Sequence, residues 1–270
     1  MITARQKKSR KIRRKKALGL VETEGIITKE VKFGETSRIV TLLTRDLGKI
    51  SAIANNVRTG RSRLLGGLFL FSYSKFELFE GRKKSGSLYR INEISLKEPF
   101  KNIRESIDKM AYASYFAEAA NKASREGEPD EELLRLLLNV LYFTDRDICS
   151  YSLIKAAFEI KAADILGYAP SFEKCIKCGK EENLLYFDPE GGGVCCSGCG
   201  KLLKKHYILN NTVRSLWSYI QKSSLKNAVS LEASEETLSY LTSLTENYLQ
   251  QQLDCEFKTL DFLKKVINCG

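Results

Sequence analysis

Cys175-Ile176-Lys177-Cys178-Gly179 and Val194-Cys195-Cys196-Ser197-Gly198-Cys199 carry two Cys-x-x-Cys pairs, Cys175/Cys178 and Cys196/Cys199, with 17 residues between the inner cysteines. That spacing falls in the range of a four-thiolate zinc site. A Cys-x-x-Cys turn offers two sulfurs to one ion. Glycine beside or inside it, here Gly179 and Gly198, lets the backbone turn back without a Cβ clash. Each pair supplies half of a tetrahedron, and the return through Gly191-Gly192-Gly193 makes the whole a zinc ribbon or knuckle.

The same cysteines could instead form two disulfides, a redox pair or packed thiols. Nothing marks the chain as secreted, which argues against disulfides, and a redox Cys-x-x-Cys usually occurs once rather than twice. Cys195 is a spare thiol. A Cys-x-x-x-Cys geometry with Cys199 would let it replace Cys196, but the two-residue spacer matches the first pair better. Catalytic zinc keeps an open position, usually with histidine or carboxylate ligands. Here the only histidine, His206, lies beyond the second pair, and no His-x-Glu accompanies the cysteines. The expected cofactor is one structural Zn2+.

Working outward, 270 residues are enough for two or three domains. No run of 18 apolar residues exists, so no membrane span is expected. The basic N-terminus lacks the apolar segment of a secretory signal. The eight cysteines then suit a reducing cytoplasm, with Cys149, Cys255 and Cys269 as ordinary thiols. Net charge is +11, distributed as +9 over residues 1–16, +5 over 17–100 and −3 over 101–270. Positive charge is therefore an N-terminal property, as a polyanion-binding N-terminal domain requires. The tail itself also reads as a disordered solubilising arm.

Residues 21–96 have the pattern of β structure. Val21 to Val31 alternates loosely around Gly25, Arg38 to Thr44 is rich in β-branched and apolar residues, and Lys49 to Ala54 alternates at period two. Arg45-Asp46-Leu47-Gly48 is a tight hairpin between the last two. Phe69 to Phe79 and Leu88 to Leu96 complete five strands, which suit a small closed barrel. An OB-fold is the natural candidate, with an SH3-like barrel sharing the pattern. Between the third and fourth strands lies Arg58-Thr59-Gly60-Arg61-Ser62-Arg63. Its three guanidiniums suit phosphate oxygens, since Arg binds them bidentately and keeps its charge. Arg82-Lys83-Lys84 marks a second basic turn. Each stretch also fits a solvated hairpin tip. The aromatics Phe69, Phe71, Tyr73, Phe76 and Phe79 have faces that could stack on unpaired bases, but most are needed to fill so small a barrel.

From Pro99 onward the period becomes helical. Ile103, Ile107, Met110 and Ser114 fall on one face of a helix that Gly127-Glu128-Pro129 ends. Asp130-Glu131-Glu132 opens a second, with acids placed well for the helix dipole and an apolar face of Leu133, Leu137, Val140 and Leu141. Ser150 to Leu166 is apolar nearly all round, the mark of a helix at the centre of a bundle. After the cysteines, Thr212 can cap a helix with Val213, Leu216, Trp217 and Ile220. Ser234 opens another, carrying Leu238, Leu241, Thr245 and Tyr248, and a last helix carries Leu260, Leu263 and Ile267. The zinc element is thus an insertion in a helical domain.

Thr23-Glu24-Gly25-Ile26-Ile27, Gly34-Glu35-Thr36-Ser37-Arg38-Ile39-Val40-Thr41-Leu42-Leu43-Thr44 and Leu47-Gly48-Lys49-Ile50 resemble the opening of the RecO family of bacterial recombination mediators. Arg61-Ser62-Arg63-Leu64 resembles its next segment. Leu166-Gly167-Tyr168-Ala169-Pro170 leading into the two Cys-x-x-Cys pairs resembles its helical domain and zinc site. The likeness runs in order over residues 21–200, more specific than any one motif. Residues 1–16 have no counterpart in it, and residues 205–270 match only in helical character.

The resemblance implies an α+β chain. A basic disordered tail over 1–20 and an OB-fold over 21–98 precede a helical domain over 99–270, with the zinc insertion at about 172–203. It implies binding to single- and double-stranded DNA and annealing of complementary strands. It also implies work with RecR that helps load RecA onto DNA coated by single-stranded DNA-binding protein, in the bacterial cytoplasm at the nucleoid. Arg38, Lys49 and the Arg58, Arg61 and Arg63 loop are the DNA-contact positions it carries over, and the second basic turn adds Lys83 and Lys84. No Gly-x-x-x-x-Gly-Lys-Ser/Thr phosphate loop is present, so ATP hydrolysis is not expected and the chain reads as a binding protein, not an enzyme. From a different class, an RNA- or ribosome-associated zinc-ribbon factor with a basic tail shares these features. Side-by-side binding to DNA and structured RNA separates the two.

Overall fold

The computed structural model describes residues 14–15, 19–57, 63–80 and 88–269, divided into two units. One unit runs to Pro99 and also takes in Arg125–Pro129; the other comprises Phe100–Ser124 and Asp130–Gly270. Most of the expected disordered tail lies outside the described residues, but Arg14–Lys15 forms a short strand, β1, paired with β2 at Val21 and Leu20.

In the first unit β2 (Leu20–Phe33), β3 (Ser37–Thr44), β4 (Gly48–Ala54), β5 (Tyr73–Phe79) and β6 (Tyr89–Glu98) close on themselves in the order β2-β3-β4-β6-β5-β2. Every pairing is antiparallel except β4 with β6, which run parallel at Ala52↔Tyr89 and Ile53↔Arg90. This is the five-strand Greek-key order of an OB-type barrel. Period-two alternation drives it: Ile27, Val40, Leu42, Ala52, Phe76 and Leu78 point inward and fill the core. β2 serves two neighbours, β5 through its first half and β3 along most of its length, with a register shift between Ile27 and Lys29. Gly25 sits where β2 is closest to β3; a Cβ there would come within 2.8 Å of the Leu43 carbonyl oxygen. The hairpin at Arg45-Asp46-Leu47 is closed by the buried Thr44 hydroxyl, which donates to Gly48 O (2.7 Å) and accepts from Leu47 N (3.1 Å).

The fourth strand starts later than its sequence suggests. Arg63–Gly67 is a 3-10 turn, and Phe71 takes a positive φ of 67°, so the extended run begins only at Tyr73. Phe71 is nonetheless wholly buried, its N–H donating to Ile27 O. An apolar residue needed in the core has been delivered there by a turn rather than a strand.

The second unit holds α1 (Ile107–Ala123), α2 (Glu131–Asp145), α3 (Tyr151–Ile165), α5 (Asn211–Lys222), α6 (Leu225–Ala228), α7 (Glu235–Gln252) and α8 (Lys258–Cys269). A short helix, α4 (Ser197–Gly200), belongs to the cysteine-bearing insertion. α3 is buried on nearly every side and touches α1, α2, α5, α6 and α7. The single helix expected after Pro99 is in fact two pieces. A 3-10 turn, Lys101–Glu105, ends at Ser106, whose extended backbone and hydroxyl cap α1 by accepting from Lys109 N. That break rephases α1: Ile107 is 65% exposed, while Tyr112, Tyr115, Phe116 and Ala119 face the core. α2 and α7 begin at Asp130 and Ser234, as their sequences suggest. α5 is capped not by Thr212 but by Asn210, whose side chain accepts from Val213 N at 2.8 Å. Between α3 and α5 lie β7 (Leu184–Asp188), β8 (Gly193–Cys196) and β9 (Tyr207–Ile208), in the order β8-β7-β9. Among the described residues, no helix is long and apolar enough to cross a membrane.

Candidate metal centre and nucleic-acid surface

The first Cys-x-x-Cys turn follows α3. Cys175 N donates to Lys180 O and Gly179 N to Cys175 O, with Gly179 at φ +77°, a turn glycine is suited to make. Ile176 N donates to Val194 O, and Val194 N to Ser171 O, so the turn is laid against β8. The second pair straddles the end of β8 and α4, held by Ser197 N donating to Asn183 O. Close packing explains the glycines between the pairs. A Cβ on Gly193 would approach Ser171 O to 2.9 Å and overlap Ile176, and one on Gly191 would overlap Ile176 and the Asp188 carboxylate. Buried Asp188 closes the β7–β8 turn by accepting from Glu190 N and Gly191 N. Its other oxygen takes Lys177 Nζ at 3.0 Å, tying the first turn to the hairpin.

The outcome is that the sulfurs of Cys175, Cys178, Cys196 and Cys199 all lie within 4.8 Å of one another. Cys178 and Cys196 are 3.7 Å apart. Sulfurs about 2.3 Å from a central zinc at tetrahedral angles would be separated by about 3.8 Å. That match, and cysteines that are free rather than bridged, fits a metal and not a disulfide. The site takes Cys196 and leaves out Cys195, which is wholly buried and whose thiol burial pushes up to about 11. Burial also acts to raise Cys175, but backbone N–H groups of Cys196, Cys178 and Lys177 outweigh it and bring that thiol down to about 6. Amide dipoles aimed at a sulfur favour the thiolate that a cation needs. His206 packs edge-on against Tyr186, 5.0 Å between centroids, and is not among the four ligands.

The element is anchored through Phe187, wholly buried on β7. Its ring meets Phe172, Trp217 of α5 and Tyr248 of α7 at 5.1–6.3 Å between centroids. Tyr248 also donates its hydroxyl to Tyr168 O at 2.6 Å. Four thiolates around one ion would leave it no open coordination position, so a metal held here would stabilise the fold rather than activate a water.

The candidate DNA contacts fall in three groups. Arg58, Arg61, Lys83 and Lys84 lie outside the described residues. Arg63 opens the 3-10 turn after β4, and only its backbone is described. Arg38 and Lys49 are not brought together. Arg38 stands on β3 in the row of the inward-facing Val40 and Leu42, at the barrel's end, paired with Glu30 at 2.7 Å. Lys49 pairs with Leu43, on the other face of the sheet, five residues further along β3, roughly 17 Å away. Strand alternation assigns those opposite faces, and counting residues along the chain does not reveal that Arg38 lies against a carboxylate on β2.

Residues 18–100 match the family described as Recombination protein O N terminal, and residues 104–261 that described as Recombination protein O C terminal. The chain is similar to the DNA repair protein RecO of Acetivibrio thermocellus, 34% identical over 248 residues, which cover 92% of this chain and 97% of the other. It is likewise similar to the DNA repair protein RecO of Alkaliphilus metalliredigens (31% identical, 92% and 100% covered) and of a Thermoanaerobacter species (30% identical, 92% and 99% covered). With both halves matched in order and relatives aligned nearly end to end, this chain belongs to the RecO family.

Proposed function

We propose that this chain is a DNA-binding recombination mediator that performs no bond chemistry. It binds single- and double-stranded DNA, anneals complementary strands, and with RecR helps load RecA onto strands coated by single-stranded DNA-binding protein, in the cytoplasm at the nucleoid. The observation that carries this reading is the joining, in one chain of the RecO family, of a basic OB-type barrel to a helical unit with a four-thiolate centre. Two strands repel each other. A protein carrying +9 over residues 1–16 and +5 over 17–100 releases their counterions and lowers that barrier. Arg38, Lys49, Arg58, Arg61, Arg63, Lys83 and Lys84 are the proposed phosphate contacts. Cys175, Cys178, Cys196 and Cys199 would hold one Zn2+, which supplies folding energy to the helical domain and no catalytic step.

Work on coated strands needs a hold on the coating protein, whose tail is acidic with an apolar tip. The helical unit, whose helix-lined surface can pair an apolar groove with a cation, is its proposed host. Annealing without nucleotide on naked strands, on coated strands, and on strands coated by a tail-less protein tests the proposal. Annealing of coated strands that depends on the tail supports it. Equal rates with and without the tail, or no annealing of coated strands, leaves a general nucleic-acid binder.

A further inference from the structure

Seventeen residues separate the two Cys-x-x-Cys turns. Their four sulfurs meet only if the first turn is seated on the β7–β8 hairpin that leads to the second. The two residues between Cys175 and Cys178 provide that seat. Ile176 packs against the hairpin's return so closely that a Cβ on Gly191 or Gly193 would overlap it, and its N–H donates to Val194 O. Lys177 reaches Asp188, with Nζ 3.0 Å from Oδ2. Asp188 is only 3% exposed, and its Oδ1 accepts from Glu190 N at 3.1 Å and Gly191 N at 3.0 Å. One oxygen thus holds the hairpin turn and the other holds the first cysteine turn. The Lys177 amide, with those of Cys178 and Cys196, is directed at the Cys175 sulfur. A single residue therefore joins Asp188, through its side chain, to a ligand sulfur, through its backbone.

We propose that Asp188, acting through Lys177, is a positioning residue for the metal centre. It fixes the first Cys-x-x-Cys turn at the distance from Cys196 and Cys199 that one ion needs, and so sets how tightly that ion is held. The inference rests on the four-thiolate reading above and adds to it a residue outside the ligand set. Two observations favour this role over a part in the hairpin alone. Closing the hairpin needs only the oxygen that accepts from Glu190 and Gly191, a bond that asparagine makes as well as aspartate. The second oxygen of the buried carboxylate instead takes a lysine from another segment. That lysine stands between two ligands, whereas Lys174 and Lys180, of the same charge, are exposed at the flanks of the turn. Residues that orient ligands from outside the coordination shell change metal affinity by about 10–100-fold. The physical reason is pre-organisation: a ligand set already in place need not be ordered when the ion arrives.

The test is the zinc affinity of the full chain, measured by competition with a chromophoric chelator, with Trp217 emission as a second readout. Trp217 is the only tryptophan in the chain and packs on Phe187 of β7, 5.1 Å between centroids, so it reports whether the insertion keeps its fold. Asp188→Asn keeps the turn-side bonds but turns an amide N–H toward the Lys177 ammonium. It is expected to weaken zinc binding about tenfold, with the emission of the zinc-loaded chain unchanged. Lys177 is half-exposed, so Lys177→Met leaves folding intact and should weaken zinc by up to about fivefold. Lys177→Arg should restore it. Combining Asp188→Asn with Lys177→Met should cost no more than Asp188→Asn alone, because the two residues act as one unit. Lys180→Met removes the same charge without touching Asp188 and should leave zinc affinity unchanged. Unchanged affinity in both Asp188→Asn and Lys177→Met overturns the proposal and leaves the metal reading standing. So does an equal loss in Lys180→Met, which makes the effect one of net charge. Altered Trp217 emission in every weakened variant overturns it too, since the loss is then one of folding. A wild-type chain that holds no zinc overturns both.

Discussion

Lys155 Nζ lies 2.8 Å from Glu159 Oε1, one turn further along α3, with both side chains almost wholly buried. The same ammonium reaches Glu246 Oε2 at 3.0 Å on α7, and Glu246 Oε1 takes Lys264 from α8. Glu159 further accepts the hydroxyls of Tyr115 on α1 and of Thr245. Four helices thus share one polar network in which each charge has a partner. Burial alone would depress Lys155, but the Glu159 and Glu246 carboxylates outweigh it and hold it above its ordinary value.

Lys155→Met should therefore destabilise the helical unit by about 3–5 kcal/mol, since it strands Glu159 in a buried site. Adding Glu159→Leu should recover part of that loss. Urea unfolding of the wild type and both variants checks it; a single variant costing under about 1 kcal/mol would mean that the pair is well solvated.

Serine at Cys175, Cys178, Cys196 or Cys199 should lower bound zinc from one per chain and reduce the melting temperature, because metal binding contributes directly to folding. Serine at Cys195 should leave zinc content unchanged. Elemental analysis with a thermal melt decides. Metal-free native protein, or loss only with Cys195→Ser, rejects the assignment.

Gly48→Ala should cost about 2–4 kcal/mol, combining left-handed backbone strain with overpacking. Gly48 has φ +68°, and an added Cβ would overlap the Glu128 backbone in the same unit. Denaturant midpoints test this, and a near-neutral result would show that Arg125–Pro129 readily moves aside.

Glu24 accepts from Lys97 and from the Tyr73 hydroxyl, and these bonds hold its carboxyl below the ordinary value of 4.5. A depressed carboxylate contributes stability that is present above its unfolded pKa and lost as pH falls through its folded one. The stability difference between wild type and Glu24→Gln should therefore hold at pH 6 and shrink below about pH 4.5. Unfolding midpoints taken down the acid limb measure it. A difference that does not vary with pH would remove Glu24 from the acid sensitivity.

Replacing Arg58, Arg61 and Arg63 with Ala should weaken binding to every DNA sequence alike. The log-log salt slope should fall by roughly 0.7 per lost contact on single strands. An unchanged slope would make the loop a solvated tip.

Local and periodic features were legible in the sequence. Two Cys-x-x-Cys pairs at zinc spacing, the Leu133-Leu137-Leu141 face of α2, the all-round apolar α3 and the Ser234 cap of α7 each depend on residues a few positions apart. Short-range geometry suffices to read them. What joins distant segments was decided only in three dimensions. The parallel β4–β6 closure makes the barrel OB-type, the Ser106 break turns Ile107 outward, and Phe71 reaches the core through a positive φ. Lys155 and Glu159 are charges within the nearly all-apolar α3, and they are buried because α1 and α7 bring Tyr115, Thr245 and Glu246 to meet them. Arg38 and Lys49 belong to opposite faces because β pairing alternates every residue, and Phe33 lies on the outer row of the barrel because Val31, Ile39 and Ile53 come into register from three strands. Composition and spacing constrain what one segment can do. The energy of burying a charge or exposing a ring depends on which neighbours the fold supplies, and those come from elsewhere in the chain.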